Sequence, residues 1–236
     1  MVLACTAGQT AAASPVMNPQ ARILGIAREG WPFVVIFVAF TALVWALAGF
    51  WWSLPLLLLS LFSLQFFRDP RRPLPAATRG GVLCPADGRV IAIEQVEDPY
   101  LQRPAIKVSI FMNVFDVHVN RTPVAGVVQG AWYFPGRFFN AALAKASLEN
   151  ERNALWLQSG DGQDVTVVQV AGLVARRILC YLRPGDRAEL GGRLGFIRFG
   201  SRVDTYLPLG SELRVSLGDR VRSGAQWLAV LPETQA

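Results

Sequence analysis

Three residues in this chain are of types that together can activate a nucleophile. They are Asp87 in Pro85-Ala86-Asp87-Gly88, His118 in Asn113-Val114-Phe115-Asp116-Val117-His118-Val119-Asn120-Arg121, and Ser201 in Arg198-Phe199-Gly200-Ser201-Arg202-Val203-Asp204. A serine hydroxyl is a poor nucleophile until a base takes its proton, and an imidazole oriented by a carboxylate is a common base. His118 is the only histidine, so any imidazole chemistry runs through it and a site needing several histidines is excluded. Singly, the three segments have ordinary structural readings as an Asp-Gly turn, a strand histidine and a Gly-Ser loop. Spacing alone does not bring them together. Asp116 competes with Asp87 as the acid, because residues two apart in a strand share a face.

The rest of the composition narrows the chemistry. Cys5, Cys84 and Cys180 are odd in number and lack a C-x-x-C spacing, which argues against a disulfide framework or a zinc site, and no metal centre is expected. The 236 residues carry a net charge of +6, nearly all from arginine, since Lys107 and Lys145 are the only lysines. Arginine favours phosphate and carboxylate partners. The basic residues lie beside an apolar block and are not interleaved with aromatics, so an anionic lipid surface is expected and nucleic acid is not.

That block, Trp31 to Phe67, holds 37 residues without one Asp, Glu, Lys, Arg or His. One crossing takes roughly 20 apolar residues, so the block suits two short arms. Pro55, beside Trp51 and Trp52, marks the break, giving arms over Phe33–Phe50 and Leu56–Phe67. Arg22 and Arg28 precede the block and Arg68, Arg71, Arg72 and Arg79 follow it, which puts both ends on the cytoplasmic side of a cell membrane. Residues 1–20 carry no charge and lack the pattern of a secretion signal, and are read as a disordered tail.

After the anchor (21–67) and a Pro/Arg linker (68–80), residues 81–236 change to short β-branched runs bounded by Gly, Pro and Asp. Strands are expected at Val82–Leu83, Val90–Ile93, Ile106–Phe111, Val127–Tyr133, Ala154–Leu157, Val165–Val170, Leu194–Phe199 and Trp227–Leu231. A helix is expected at Phe138–Glu149, and Ala171–Leu182 reads as either. The fold class is mainly β (α+β): a barrel-sandwich-like domain with one or two short helices behind a hydrophobic helical hairpin. Such folds also carry lipoyl or biotinyl groups, but neither lysine lies in the exposed hairpin turn that role needs.

The motifs in order, Phe67-Arg68-Asp69-Pro70, Pro85-Ala86-Asp87-Gly88, Phe111-Met112-Asn113 with Asp116-Val117-His118-Val119-Asn120-Arg121, Asn150-Glu151-Arg152-Asn153 and Phe199-Gly200-Ser201-Arg202-Val203-Asp204, resemble the short bacterial form of phosphatidylserine decarboxylase. The resemblance runs from about Arg22 to the C-terminus, anchor included. It implies a zymogen that cuts itself between Gly200 and Ser201 into a β-chain, 1–200, and an α-chain, 201–236, with Ser201 converted to a covalent pyruvoyl cofactor. It further implies that phosphatidylserine in an anionic membrane forms a Schiff base there and loses carbon dioxide to give phosphatidylethanolamine, a step in phospholipid biosynthesis.

His118 is then the expected base of maturation and the proton donor of turnover, and Asp87 matches the family's acid position. Long-form members carry a second histidine nearby in sequence. This chain has one, which leaves the sharing of the two tasks open. Arg121, Arg198 and Arg202 lie nearest the motifs and are candidates for the lipid phosphate or carboxylate. The linker arginines are expected to face anionic head groups. Two other readings are weighed: a membrane-anchored serine hydrolase using Ser201, His118 and Asp87, and a non-catalytic barrel-sandwich adaptor. Oligomeric state stays open, a homo-oligomer included.

Overall fold

The computed structural model describes residues 22–137, 141–142, 149–172, 178–198 and 200–233. The tail, most of the expected helix at Phe138–Glu149, part of Ala171–Leu182, and Phe199 lie outside the described residues. Described residues up to Arg71 form one compact unit and those from Arg72 onward another.

In the first unit a two-stranded ribbon, β1 (Arg22–Ile23) and β2 (Ile26–Ala27), leads through a 3-10 turn (Arg28–Gly30) into helix α1 (Trp31–Ala48), followed by α2 (Phe50–Phe66). Pro32 stands in the first turn of α1, where a missing N–H costs nothing. The helices are parted at Gly49, whose φ of 87° ends α1, and not at Pro55. Pro55 sits early in α2, where the helix absorbs the loss of one backbone hydrogen bond. Ser53, Ser60 and Ser63 are buried, each returning its hydroxyl to a carbonyl of its own helix, and Thr41 Oγ1 meets Ser60 Oγ at 3.1 Å. Small hydroxylated residues let the helices approach while keeping their own hydroxyls satisfied. The stretch Arg28–Ala48 is long and apolar enough to cross a membrane, and Phe50–Phe66 is a shorter apolar helix.

The second unit is mainly β, as expected. Its strands are β3 (Gly81–Leu83), β4 (Gly88–Asp98), β5 (Arg103–Met112), β6 (Val119–Arg121), β7 (Gly126–Phe134), β8 (Arg152–Ser159) and β9 (Asp164–Val170). There follow β10 (Ile178–Cys180), β11 (Arg187–Ala188), β12 (Arg193–Ile197), β13 (Ser201–Pro208), β14 (Glu212–Leu213), β15 (Arg220–Val221) and β16 (Trp227–Val230). Eight of them form one antiparallel sheet in the order β11-β7-β8-β9-β13-β5-β4-β15. Two three-stranded sheets, β10-β12-β6 and β14-β16-β3, complete the unit. The main core takes Ile110 and Met112 from β5, Leu155 and Leu157 from β8, Val165 and Val167 from β9, and Val203 and Leu207 from β13, with Leu194, Ile197 and Leu228 from the small sheets. A second cluster of Ala105, Ala154, Val168, Val170 and Tyr206 lies on the other face of the large sheet.

Strand β13 was not among the expected strands, yet it is paired along both edges, with β5 from Ser201↔Met112 to Pro208↔Ala105 and with β9 from Arg202↔Val170 to Tyr206↔Thr166. Further down the chain β15 pairs with β4, and β16 with β3. Residues after 200 are therefore woven into two of the three sheets of the unit, the large one and β14-β16-β3. If the chain is cut after Gly200, the 201–236 fragment should co-elute with the remainder on size exclusion in detergent and separate only in denaturant; a fragment lost under native conditions contradicts this weaving.

Candidate active site

The motif residues gather at one end of the large sheet. There β4 begins at Gly88, just after Asp87; β5 ends at Met112; β13 begins at Ser201; β9 ends at Val170; and β8 begins at Arg152, just after Asn150 and Glu151. The registers Arg152↔Val170, Arg202↔Val170, Arg202↔Phe111 and Arg89↔Phe111 put these ends in one row across five strands. Neighbouring strands are about 4.8 Å apart, so the row spans roughly 20 Å. β6 joins this end, since the Arg121 amide donates to the Pro85 carbonyl at 2.8 Å.

Ser201 opens β13 with its side chain on the face of Val203 and Leu207, toward the main core. It is fully buried, and its Oγ has no hydrogen-bond partner among the described residues. A buried hydroxyl left unmatched costs about 1–3 kcal/mol, so one that persists asks for a role. The preceding Gly200 has φ of 58°, in the left-handed region that glycine takes without strain.

His118 is also fully buried, immediately before β6, and its carbonyl accepts the Ile197 amide at 3.3 Å. Its Nδ1 lies 3.0 Å from the Asp116 carbonyl oxygen. A carbonyl can only accept, so Nδ1 carries the proton and Nε2 of the neutral ring carries the lone pair. The Asp116 carboxylate accepts the Asn113 amide at 2.9 Å and so shapes the turn, while its main chain orients the ring.

Asp87 makes different bonds. Arg72 grips it with both ends of its fork, Nη1 to Oδ1 at 2.5 Å and Nη2 to Oδ2 at 2.7 Å, and the Ser223 amide donates to Oδ1 at 2.9 Å. Arg72 also donates to the Ser223 carbonyl at 3.0 Å. Among the described residues, Asp87 is held by Arg72 and Ser223, and His118 Nδ1 by Asp116. Arg72, expected to face head groups with the other linker arginines, is instead spent on Asp87; Arg71 and Arg79 are exposed. Burial, reinforced by the Asp87 charge, pushes the Cys84 thiol up to about 12, and burial raises Cys180 as well, so neither is a nucleophile at neutral pH.

The candidate substrate arginines differ among themselves. Arg202 is buried on the face opposite Ser201, with Nε 2.8 Å from Asp204 Oδ1 and Nη1 donating to the Ala141 carbonyl at 3.0 Å. Arg121 donates from Nη1 to the Gly191 carbonyl at 3.0 Å, and Arg198 is half-buried. A neutral polar chain absent from the sequence reading runs beside Ser201. Asn153 Nδ2 donates to Gln169 Oε1 at 3.4 Å, Gln169 Nε2 to Asn120 Oδ1 at 2.8 Å, and Asn120 Nδ2 reaches the sulfur of Met112, the register partner of Ser201, at 3.7 Å. Strand alternation could have flagged Gln169, an inward position in an otherwise β-branched strand.

The Arg72–Asp87 clasp has a direct consequence for stability. Arg72→Ala leaves a nearly buried carboxylate with only the Ser223 amide and should cost about 1–3 kcal/mol, whereas Arg72→Lys keeps the charge but loses the two-point fit and should fall between. Thermal unfolding of the three proteins in detergent checks the order.

Comparison with known proteins bears on this arrangement as a whole. The profile of the phosphatidylserine decarboxylase family matches residues 59–229. A protein of Nitrosomonas europaea is 60% identical over 196 residues, which is 83% of this chain and 90% of that one. One of Aromatoleum aromaticum is 59% identical over 207 residues, 88% of this chain and 96% of its own, and one of Burkholderia ambifaria is 57% identical over 208 residues, 88% and 97%. All three are named phosphatidylserine decarboxylase proenzyme. Matched over most of its length, as its motifs led us to expect, the chain belongs to the phosphatidylserine decarboxylase family.

Proposed function

We propose that this protein decarboxylates phosphatidylserine to phosphatidylethanolamine after cutting itself between Gly200 and Ser201, and that it works on the cytoplasmic face of the inner membrane. The observation that carries the reading is Ser201: a buried, unmatched hydroxyl at the head of a central strand, directly after a left-handed glycine, in a family whose relatives are named as proenzymes. In the uncut chain Ser201 has no exposed surface, which suits attack on its own backbone and not on an external substrate.

In maturation, Ser201 Oγ attacks the Gly200 carbonyl carbon and the C–N bond breaks. The hydroxyl proton passes through His118 Nε2 to the departing amine, leaving an ester. Loss of the Ser201 α-proton then expels the Gly200 carboxylate, and water releases ammonia to leave a ketone at position 201. A pyruvoyl group fits the residues present: its precursor hydroxyl is orphaned in a water-poor interior, and the groups around it are neutral amides and a thioether that would not compete for a carbonyl carbon. When formed, that group supplies the electron sink for decarboxylation.

The chain's own residues then orient the head group and handle the proton. His118, held by the Asp116 carbonyl, is the donor of the proton returned to the substrate α-carbon. Asp87 matches the family's acid position, but to act directly on the imidazole it must share or exchange the hold of Arg72. Among Arg121, Arg198 and Arg202, the last is the weakest candidate for the lipid phosphate, because Asp204 already balances its charge. The apolar helix Arg28–Ala48, with Arg71 and Arg79 exposed after the anchor, suits a protein held at an anionic bilayer.

Intact-mass analysis of the purified protein tests this. The expected result is a fragment of residues 201–236 lighter by one ammonia than the same peptide beginning with serine, reactive toward a hydrazide probe. Ser201→Ala should give one uncut chain without decarboxylase activity. Uncut wild-type protein with a normal Ser201 would refute the reading.

A further inference from the structure

Two features at the site end of the sheet take no part in the chemistry above: the Asn150-Glu151-Arg152-Asn153 run and the backbone that follows β9. Asn150 is fully buried, and its Nδ2 donates to the Ala171 carbonyl at 2.7 Å. The Ala171 amide in turn donates to the Glu151 carbonyl at 2.9 Å. The next residue, Gly172, lies directly against the bond to be cut. A methyl group built on Gly172 would stand 1.5 Å from the Gly200 carbonyl oxygen and 2.7 Å from its carbon. Gly172 does not have a positive φ, so its backbone would accept alanine; only the contact forbids it.

We propose that Gly172 and Asn150 are positioning residues for self-cleavage, Asn150 holding the Ala171–Gly172 backbone so that Gly172 sets the direction of the Gly200 carbonyl. The proposal rests on the reading of Gly200–Ser201 as the bond that is cut. Attack requires the hydroxyl and carbonyl carbon to be aligned at roughly 3–3.5 Å. The downstream side of the bond is fixed, because Ser201 is registered on Met112. The upstream side is not fixed by its own residue, because Gly200 is free at both dihedrals and a side chain at that position would meet nothing within 4 Å. The Gly172 backbone supplies the missing restraint. It also explains the Asn150 motif: a buried amide is needed to keep a post-strand segment from retreating.

The test uses full-length protein, following precursor conversion by denaturing gel and mass spectrometry, with and without hydroxylamine. Hydroxylamine splits the ester formed by the acyl shift and leaves residue 201 as ordinary serine. Gly172→Ala displaces the carbonyl by about an ångström or more and should slow cleavage about 100-fold, with no hydroxylamine-released fragment. Asn150→Asp keeps the shape but replaces the donor with an acceptor, and should slow the same step at least about 10-fold. Folding is checked by the thermal transition of each variant in a Ser201→Ala background. A Gly172→Ala chain cut at the wild-type rate overturns the proposal. So does a folded, uncut one that hydroxylamine splits at Gly200–Ser201, since the acyl shift would then have occurred. If Gly172→Ala does not fold, wild-type cleavage of Asn150→Asp overturns the proposal by itself. An uncut wild-type chain removes the underlying reading and the proposal together, a result distinct from all of these.

Discussion

Strand β13 is hydrogen-bonded along both edges, and its first residue is the serine to which the proposed chemistry is assigned. A central strand fixes the backbone of Ser201 to within the tolerance of a β-ladder, so the nucleophile's direction is set by sheet geometry and not by a loop. The same placement demands that Arg202 and Asp204, two residues apart on the opposite face, be buried at 2% and 1% exposure. A charge so enclosed survives only if matched, and here the pair matches itself, with the Ala141 carbonyl taking a further guanidinium proton. Such a pair adds little net stability. Its effect is to let a strand with a charged sequence occupy the middle of the sheet, with Tyr206 continuing the same face into the smaller apolar cluster.

The second organising contact is the Arg72 fork on Asp87. It ties the start of the domain to the Pro85–Gly88 turn and, through Ser223, to the segment that follows Ser201. Because Arg72 neutralises Asp87 at close range, the carboxylate imposes less field on its surroundings than its burial alone would suggest, though Cys84 still registers it. The orientation of His118 comes from main chain: the Asp116 carbonyl holds Nδ1, and the Asp116 carboxylate and Asn113 side chain close the turn that fixes that carbonyl. The sequence spacing Asn113-x-x-Asp116-x-His118 thus encodes a ring orientation through the Asp116 main-chain carbonyl.

What the sequence could reveal divides along the range of the forces involved. The β-branched runs of β4, β5, β7, β8 and β9 are local signals and were legible, as were the three residue types of the site. Strand β13 was not, because Arg202 and Asp204 break the apolar pattern and their mutual pairing appears only once the strand is buried. The anchor's turn was read at Pro55, where a helix-breaking residue is conspicuous, but an early-helix proline is tolerated and Gly49 ends α1 instead. The partner of Asp87 could not be read, since Arg72 looks identical to its neighbours Arg68 and Arg71 until the fold selects it. The order of the motifs carried the family, which no single spacing would have done.

The interior beside Ser201 leaves little choice of proton carrier. The polar chain of Asn153, Gln169 and Asn120 consists of amides, which satisfy one another and titrate nowhere near neutral pH. Cys84 and Cys180 are raised by burial. Tyr100 and Tyr206 are likewise raised, chiefly by burial, and Tyr206 lies on the other face of the sheet. Imidazole is the side chain whose charge ordinarily changes near neutrality, and this chain has a single one. On the proposed reading, both the proton taken from Ser201 during maturation and the proton returned to the product pass through His118 Nε2, the nitrogen left with the lone pair when Nδ1 donates to the Asp116 carbonyl. In that proposal one imidazole serves both because the two events are separated in time: maturation would consume the hydroxyl once, and every later turnover would meet the same ring with that hydroxyl gone.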